Sequence, residues 1–273
     1  MPFTDSLPRK LGAAVIAGLV ALGPAAAQPL FNPEVGQAGK DVIWVPTADA
    51  LVEKMLDVAQ VTSNDYVIDL GSGDGRTVIA AARRGARAKG IEYEPAMVEL
   101  SIRNARNAGV EDRAKFEKAD LFETDFSQAT VLTMFLLPDI NLRLRPKILD
   151  MKPGTRVVSN SFTMGEWTPD QTFRSPAGCT QYCTAHFWIV PAKVHGNWRL
   201  ADGELRLEQQ FQKLSGALIS NGVVTPIRNA KLRGDAISFT AGTVTYSGRV
   251  RGAVIEGTRT SGRTRAAWSA ARV

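Results

Sequence analysis

Three glycines at every second position, Gly71, Gly73 and Gly75, punctuate the run Tyr66-Val-Ile-Asp-Leu-Gly-Ser-Gly-Asp-Gly-Arg76, with Ser72 and Asp74 between them. Lacking a Cβ, such residues adopt positive φ and let a ligand lie against the main chain. Dinucleotide sites space their glycines G-x-G-x-x-G and rest a pyrophosphate on a helix N-terminus. Here the spacing is G-x-G-x-G, and the carboxylates of Asp69 and Asp74 sit inside the loop. Two negative charges disfavour phosphate and suit a cation. The chemistry expected is the holding of a positively charged nucleoside or amino-acid-like ligand.

A second carboxylate position follows in Gly90-Ile-Glu-Tyr-Glu-Pro95. An acidic residue about 20 positions past such glycines accepts hydrogen bonds from ribose hydroxyls in doubly wound folds. Glu92 fits that place, and the register after Gly90 favours it over Glu94. These residues need strands to carry them, and the pattern supplies strands alternating with helices. Strands are expected at 66–70, 86–92, 115–119, 129–137 and 156–159, with helices from Thr47 to Gln60, after the glycines, over 95–108 and over 142–151. Thr47 is expected to cap the first helix, and Met97, Leu100 and Ile102 to reach the core from the third. Apolar strands alternating with helices argue for a parallel sheet covered on both faces. The fold class expected is α/β, Rossmann-like, followed by a small antiparallel β domain.

The segment Asp69 to Arg76 resembles the first motif of class I S-adenosylmethionine-dependent methyltransferases. With Trp44-Val-Pro-Thr47, Phe135-Leu-Leu-Pro-Asp139, Pro153 to Ser159 and Met164-Gly-Glu-Trp167, the chain is similar to protein-lysine N-methyltransferases that modify a membrane-embedded ATP synthase subunit. The resemblance covers roughly residues 42–170. It implies a seven-stranded sheet whose edge is closed by an antiparallel pair near 171–173 and 185–190. It also implies the cofactor S-adenosyl-L-methionine, with Asp120 accepting from the adenine amine and Leu121 offering its backbone amide. Trp44 and Thr47 would border the methionine end of the cofactor. Phe135 to Pro138 would line the side of the methyl acceptor, which is a protein lysine or a small molecule. No general base stands out; Asp139 and Glu166 could accept a proton, but each reads first as structural. A nucleoside-binding protein without catalysis and an NAD-dependent oxidoreductase are the rival readings, the latter weakened by the glycine spacing.

The chain departs from that group at both ends. Residues 1–27 have the layout of a secretory signal peptide: Arg9-Lys10, an apolar run from Leu11 to Gly23, then small residues up to Ala27. Residues 28–45 read as an extended arm, 46–192 as the cofactor-binding domain and 196–273 as a β-rich barrel or sandwich. The totals are 33 Lys and Arg against 27 Asp and Glu. From His195 onward the balance is 12 against 5, leaving 21 against 22 before it. The basic tail could meet an anionic surface; export makes nucleic acid an unexpected partner. Cys179 and Cys183 suit one local disulfide in an exported chain, ahead of free thiols or half a zinc site. No other metal site is indicated, and the location expected is periplasmic or secreted.

Overall fold

The computed structural model describes residues 1–2, 31–175 and 179–273. The signal-peptide reading of 1–27 therefore falls almost wholly outside the described residues. All elements below lie in the compact unit Asn32–Val273.

Helix α1 (Asp49–Val58) precedes strand β1 (Tyr66–Leu70), α2 (Arg76–Arg83), β2 (Arg87–Glu92), α3 (Pro95–Asn107), β3 (Ala114–Lys118), β4 (Val131–Met134), α4 (Pro138–Leu149) and β5 (Arg156–Asn160). Strands β6 (Gln171–Arg174) and β7 (Thr184–Ile189) complete a seven-stranded sheet of order β3-β2-β1-β4-β5-β7-β6. The first five strands are parallel; β7 runs antiparallel to β5 and to β6. Strand order reverses beside β1, where open α/β sheets leave a crevice at the carboxyl ends of their strands. Two apolar clusters fill the two faces. One joins Leu51, Met55 and Leu56 of α1 to Val78 and Ala81 of α2; the other joins Ile68, Leu132 and Met134 to Leu144, Trp167 and Trp188.

Several local expectations are corrected. Thr47 does not cap α1: Ala48 is the N-cap, with no side-chain capping bond, and the Thr47 hydroxyl accepts from Asn160 Nδ2 at 3.1 Å. Ile102 is exposed, and α3 buries Met97, Val98, Ser101 and Ala105 instead. Helix α4 begins at Pro138 rather than Leu142, because a proline at the first helical position has its φ preset and lacks only an N–H that would be unpaired there. The arm is not extended. Residues 36–44 fold into a tight antiparallel turn, with Gly36 N donating to Trp44 O at 2.9 Å and Trp44 N to Gln37 O at 2.8 Å.

The remaining strands are β8 (Gly196–Leu200), β9 (Gly203–Gln210), β10 (Lys213–Ser220), β11 (Val223–Arg233), β12 (Ala236–Ala241), β13 (Val244–Arg251), β14 (Val254–Ser261) and β15 (Thr264–Arg272). They form a closed antiparallel barrel, since β15 returns to pair with β8. Its core holds Trp198, Leu205, Leu207, Phe239, Tyr246, Ile255 and Trp268. Asn221-Gly222 makes the two-residue turn that a positive φ at both positions permits, +50° and +77°. The barrel docks through Phe211, whose ring stacks on buried Trp167 at 6.0 Å, and through the Gly234 carbonyl, which accepts from Ala192 N.

Candidate active site

A cavity of about 600 Å³ opens at the carboxyl ends of β1, β2 and β4, within the ~300–1,000 Å³ range of small-molecule sites. Its walls include Trp44, Thr47, Asp69, Gly71, Ser72, Gly73 and Asp74 from the arm and the glycine loop. Glu92, Asp120, Leu121, Phe135 and Leu136 continue the lining, but Gly75 and Pro138 do not take part in it. Gly75, at φ +84°, is the N-cap of α2, and a Cβ there would stand 2.7 Å from the Phe116 ring. Pro138 is exposed at the first turn of α4.

The glycine loop is held from behind. Ser101 Oγ donates to Gly73 O at 2.7 Å, and Asn104 Nδ2 donates to Asp74 O at 2.9 Å. A Cβ on Gly73 (φ +53°) would lie 2.7 Å from the Trp44 indole nitrogen. Asp74 does not keep its charge for a ligand: Arg76 Nη2 donates to it at 2.6 Å while Arg76 Nη1 reaches the Thr47 carbonyl at 2.8 Å. Ser72 turns its hydroxyl toward Gly90, where an added Cβ would meet it at 2.4 Å, and among the described residues that oxygen has no hydrogen-bond partner.

Asp69 pairs in register with Gly90 of β2 and Thr133 of β4. Its Oδ1 accepts from Thr133 Oγ1 at 2.7 Å. Burial pushes its pKa up to about 7; the Thr133 bond opposes the rise, and the charges of Glu92 and Asp74 add to it. Glu92 is gripped by backbone donors on both oxygens. Gly73 N donates to Oε2 at 2.9 Å, and Tyr93 N and Glu94 N donate to Oε1 at 2.8 and 3.0 Å. Three donors fill three of the roughly four lone-pair sites of a carboxylate and leave one, on Oε2, for a ligand hydroxyl. Glu94 is spent differently, accepting from Ala96 N as the N-cap of α3.

Asp120 accepts from Phe122 N at 2.9 Å and from Lys40 Nζ at 2.5 Å. Lys40 also lies 4.3 Å from the centre of the Tyr93 ring. The bond to Asp120 raises the Lys40 pKa, and the same bond lowers that of Asp120. The arm thus straps across the cavity mouth. Sequence reading missed Lys40, because its partner is 80 positions away. It also missed Thr133, although a lone polar residue in the buried strand Val131-Leu-Thr-Met134 was a usable signal.

At the opposite end, beyond β4 and β5, the lining is aromatic. Phe135, Phe162 and Tyr182 lie with ring centres 5.2–6.3 Å apart. Tyr182 belongs to the loop closed by the Cys179–Cys183 disulfide. Asp139 is exposed and outside the cavity, and Glu166 is bound by Arg145 at 2.9 Å. The residues suit an adenosyl cation: a glycine floor with no room for side chains, a gripped carboxylate with an acceptor site to spare, and a buried acid whose ionisation a cation would favour.

Comparison with known proteins agrees with this geometry. The family model described as the ANTKMT methyltransferase domain matches residues 69–171. A protein-lysine N-methyltransferase of Saccharolobus islandicus is 39% identical over 152 residues, covering 55% of this chain and 94% of its own length. A human lysine N-methyltransferase named for an ATP synthase subunit is 33% identical over 169 residues, covering 61% and 72%. Among solved structures, an RNA methyltransferase from Salinibacter ruber in complex with S-adenosyl-L-homocysteine aligns with a TM-score of 0.51 and 45% identity, over 55% of this chain and 96% of that one. With its doubly wound sheet and acid-bearing glycine loop, the chain belongs to the family of S-adenosylmethionine-dependent protein-lysine N-methyltransferases.

Proposed function

We propose that the protein is an exported methyltransferase whose acceptor is the side-chain amine of a lysine in another protein. The observation that carries this is the polarity of the cavity, with carboxylates at the β1–β3 end and uncharged aromatic rings at the β4–β7 end. Glu92 would take a ribose hydroxyl, Asp69 the ammonium of the methionyl part, and Asp120 with Leu121 the adenine. Gly71, Ser72 and Gly73 would form the floor, with Trp44 and Thr47 closing the methionyl end. The cofactor, when bound, supplies a methyl group on a sulfonium, so that the leaving group is neutral.

The protein's own task is then positioning and drying. An ammonium has no lone pair, so the acceptor must shed a proton before it reacts. Leu136 and Leu137, with Ile140, form an apolar passage that lowers the pKa of a lysine entering it by withholding solvent. The described lining at that end contains no carboxylate, and the proton would leave to water as the amine enters.

Incubating the purified full chain with methyl-labelled cofactor and separate membrane, soluble and RNA fractions tests the acceptor. The expected result is label in protein, recovered as methyl-lysine after acid hydrolysis. Label removed by ribonuclease would replace this reading with the activity named for the Salinibacter relative. Export is supported by the signal-like residues 1–27 and by a disulfide, which persists in oxidising compartments. Mass spectrometry of the protein from its native cells should then find an N-terminus at Gln28. An intact Met1 and a cytosolic location would reject export.

A further inference from the structure

We propose that the disulfide-closed loop Cys179–Cys183 is part of the acceptor site, and that Tyr182 completes with Phe135 and Phe162 an aromatic wall that selects a cationic amine head. This rests on the methyltransferase reading above and adds the determinant of acceptor specificity.

Three separate elements converge to build the wall. Phe135 follows β4, Phe162 follows β5 and Tyr182 precedes β7. The Phe135 and Tyr182 rings are 5.2 Å apart and tilted by 60°, Phe135 and Phe162 are 6.1 Å apart, and Phe162 and Tyr182 are 6.3 Å apart. All three line the cavity. Tyr182 is inclined to both other rings, by 60° and 55°, whereas Phe135 and Phe162 lie within 24° of parallel, so that one ring is set across a stacked pair.

Tyr182 is held where it is at a cost in backbone conformation. It is 42% exposed, and its backbone is at φ +54°, a conformation that costs a non-glycine residue on the order of 1–3 kcal/mol. Such a residue stays in place when its surroundings over-determine it. The disulfide does so here, tying positions 179 and 183 to a Cα–Cα distance of 5.7 Å on either side of it.

The chemistry of the wall follows from what it lacks. Apart from Tyr182, none of the described residues that line the cavity from the β4–β7 side carries an ionisable group; Asp69, Glu92 and Asp120 belong to the other end. A cation entering there meets ring faces and no carboxylate. Ring faces attract ammonium groups through their quadrupole without abstracting or fixing a proton. They accept a nitrogen bearing methyl groups as readily as one bearing hydrogens. The wall can therefore guide the charged amine in and still release it to the passage as the free base.

Calorimetry on the full chain, with and without S-adenosyl-L-homocysteine, tests this. The probes are acetyl-trimethyllysine amide and its uncharged isostere, in which a tert-butyl group replaces the trimethylammonium. The cation should bind about tenfold more tightly than the isostere, as expected for a partly desolvated cation–π site. Tyr182→Phe should keep that preference. Tyr182→Ala, and the double variant Cys179→Ser with Cys183→Ser, should lose most of it while affinity for S-adenosyl-L-homocysteine stays within twofold. Equal binding of the two probes, a preference surviving in Tyr182→Ala, or loss of S-adenosyl-L-homocysteine binding in Tyr182→Phe would overturn the proposal. Should the wild type prefer the cation but fail to bind S-adenosyl-L-homocysteine, the wall stands and the methyltransferase reading falls.

Discussion

Glu92→Ala should weaken binding of S-adenosyl-L-homocysteine by on the order of a hundredfold, ~2.7 kcal/mol, because a hydroxyl bond to a charged acceptor is lost together with a brace of the glycine loop. The carboxylate is positioned without any side-chain partner. Gly73 N, Tyr93 N and Glu94 N hold its two oxygens in place. Removing it therefore does two things at once: the ligand loses its acceptor, and the glycine loop loses the brace between Gly73 and the end of β2. Glu92→Gln should fall between alanine and wild type. The amide oxygen can still accept, but its NH₂ group then faces a backbone N–H or a ligand hydroxyl with the wrong polarity. Calorimetry measures the affinity, and thermal unfolding reports that the sheet survives, since Glu92 contributes to neither apolar cluster. An alanine variant that binds within fivefold of wild type would remove Glu92 from the site.

The parts of this site that could be read from sequence are those whose physics is local. Asp69, Gly71, Gly73 and Glu92 lie within one strand–loop–helix–strand unit, so backbone freedom and charge sit next to each other in the chain. The centre of the sheet was legible for the same reason, β1 and β4 being short apolar runs, whereas β2 and β3 carry charged residues. What escaped depends on distant pairing. Barrel closure rests on Ala271 meeting Arg199 and Arg272 meeting Trp198, which no alternation within one strand reveals. Strand β11 is hard to read from sequence because Pro226 and an irregularity between Arg228 and Lys231, with Asn229 at φ +51°, break its period of two. The strap of Lys40 on Asp120 and the meeting of Phe135, Phe162 and Tyr182 are likewise products of the fold. Asp74 shows the converse error: its charge was read correctly and its partner, Arg76 two positions on, was overlooked.

Asp69 gives the second large effect, and its sign separates a binding acid from a structural one. With a folded pKa of about 7, the ligand-free protein carries this side chain protonated in mild acid. The ammonium of the ligand's amino-acid part favours the ionised form, so binding below pH 7 must expel a proton. Affinity for S-adenosyl-L-homocysteine should then fall by about tenfold for each pH unit between 7 and 5, and level off above 8. The effect on ligand-free stability runs the other way from that of an ordinary paired carboxylate. Because the folded pKa lies above the unfolded value near 3.8, the contribution of Asp69 is fully present below pH ~4 and is lost as pH rises through about 7. At pH 8 the protein holds a buried charge whose bonded partner, Thr133, is neutral. Asp69→Asn removes that charge and keeps a group able to accept from Thr133. It should therefore unfold at a higher temperature than wild type at pH 8 without ligand, while its weakened binding no longer changes between pH 5 and 7. Both results come from one variant, by scanning calorimetry and by titration. A variant less stable than wild type at pH 8 would place Asp69 in the scaffold, and a pH-independent wild-type affinity would deny it the ligand's charge.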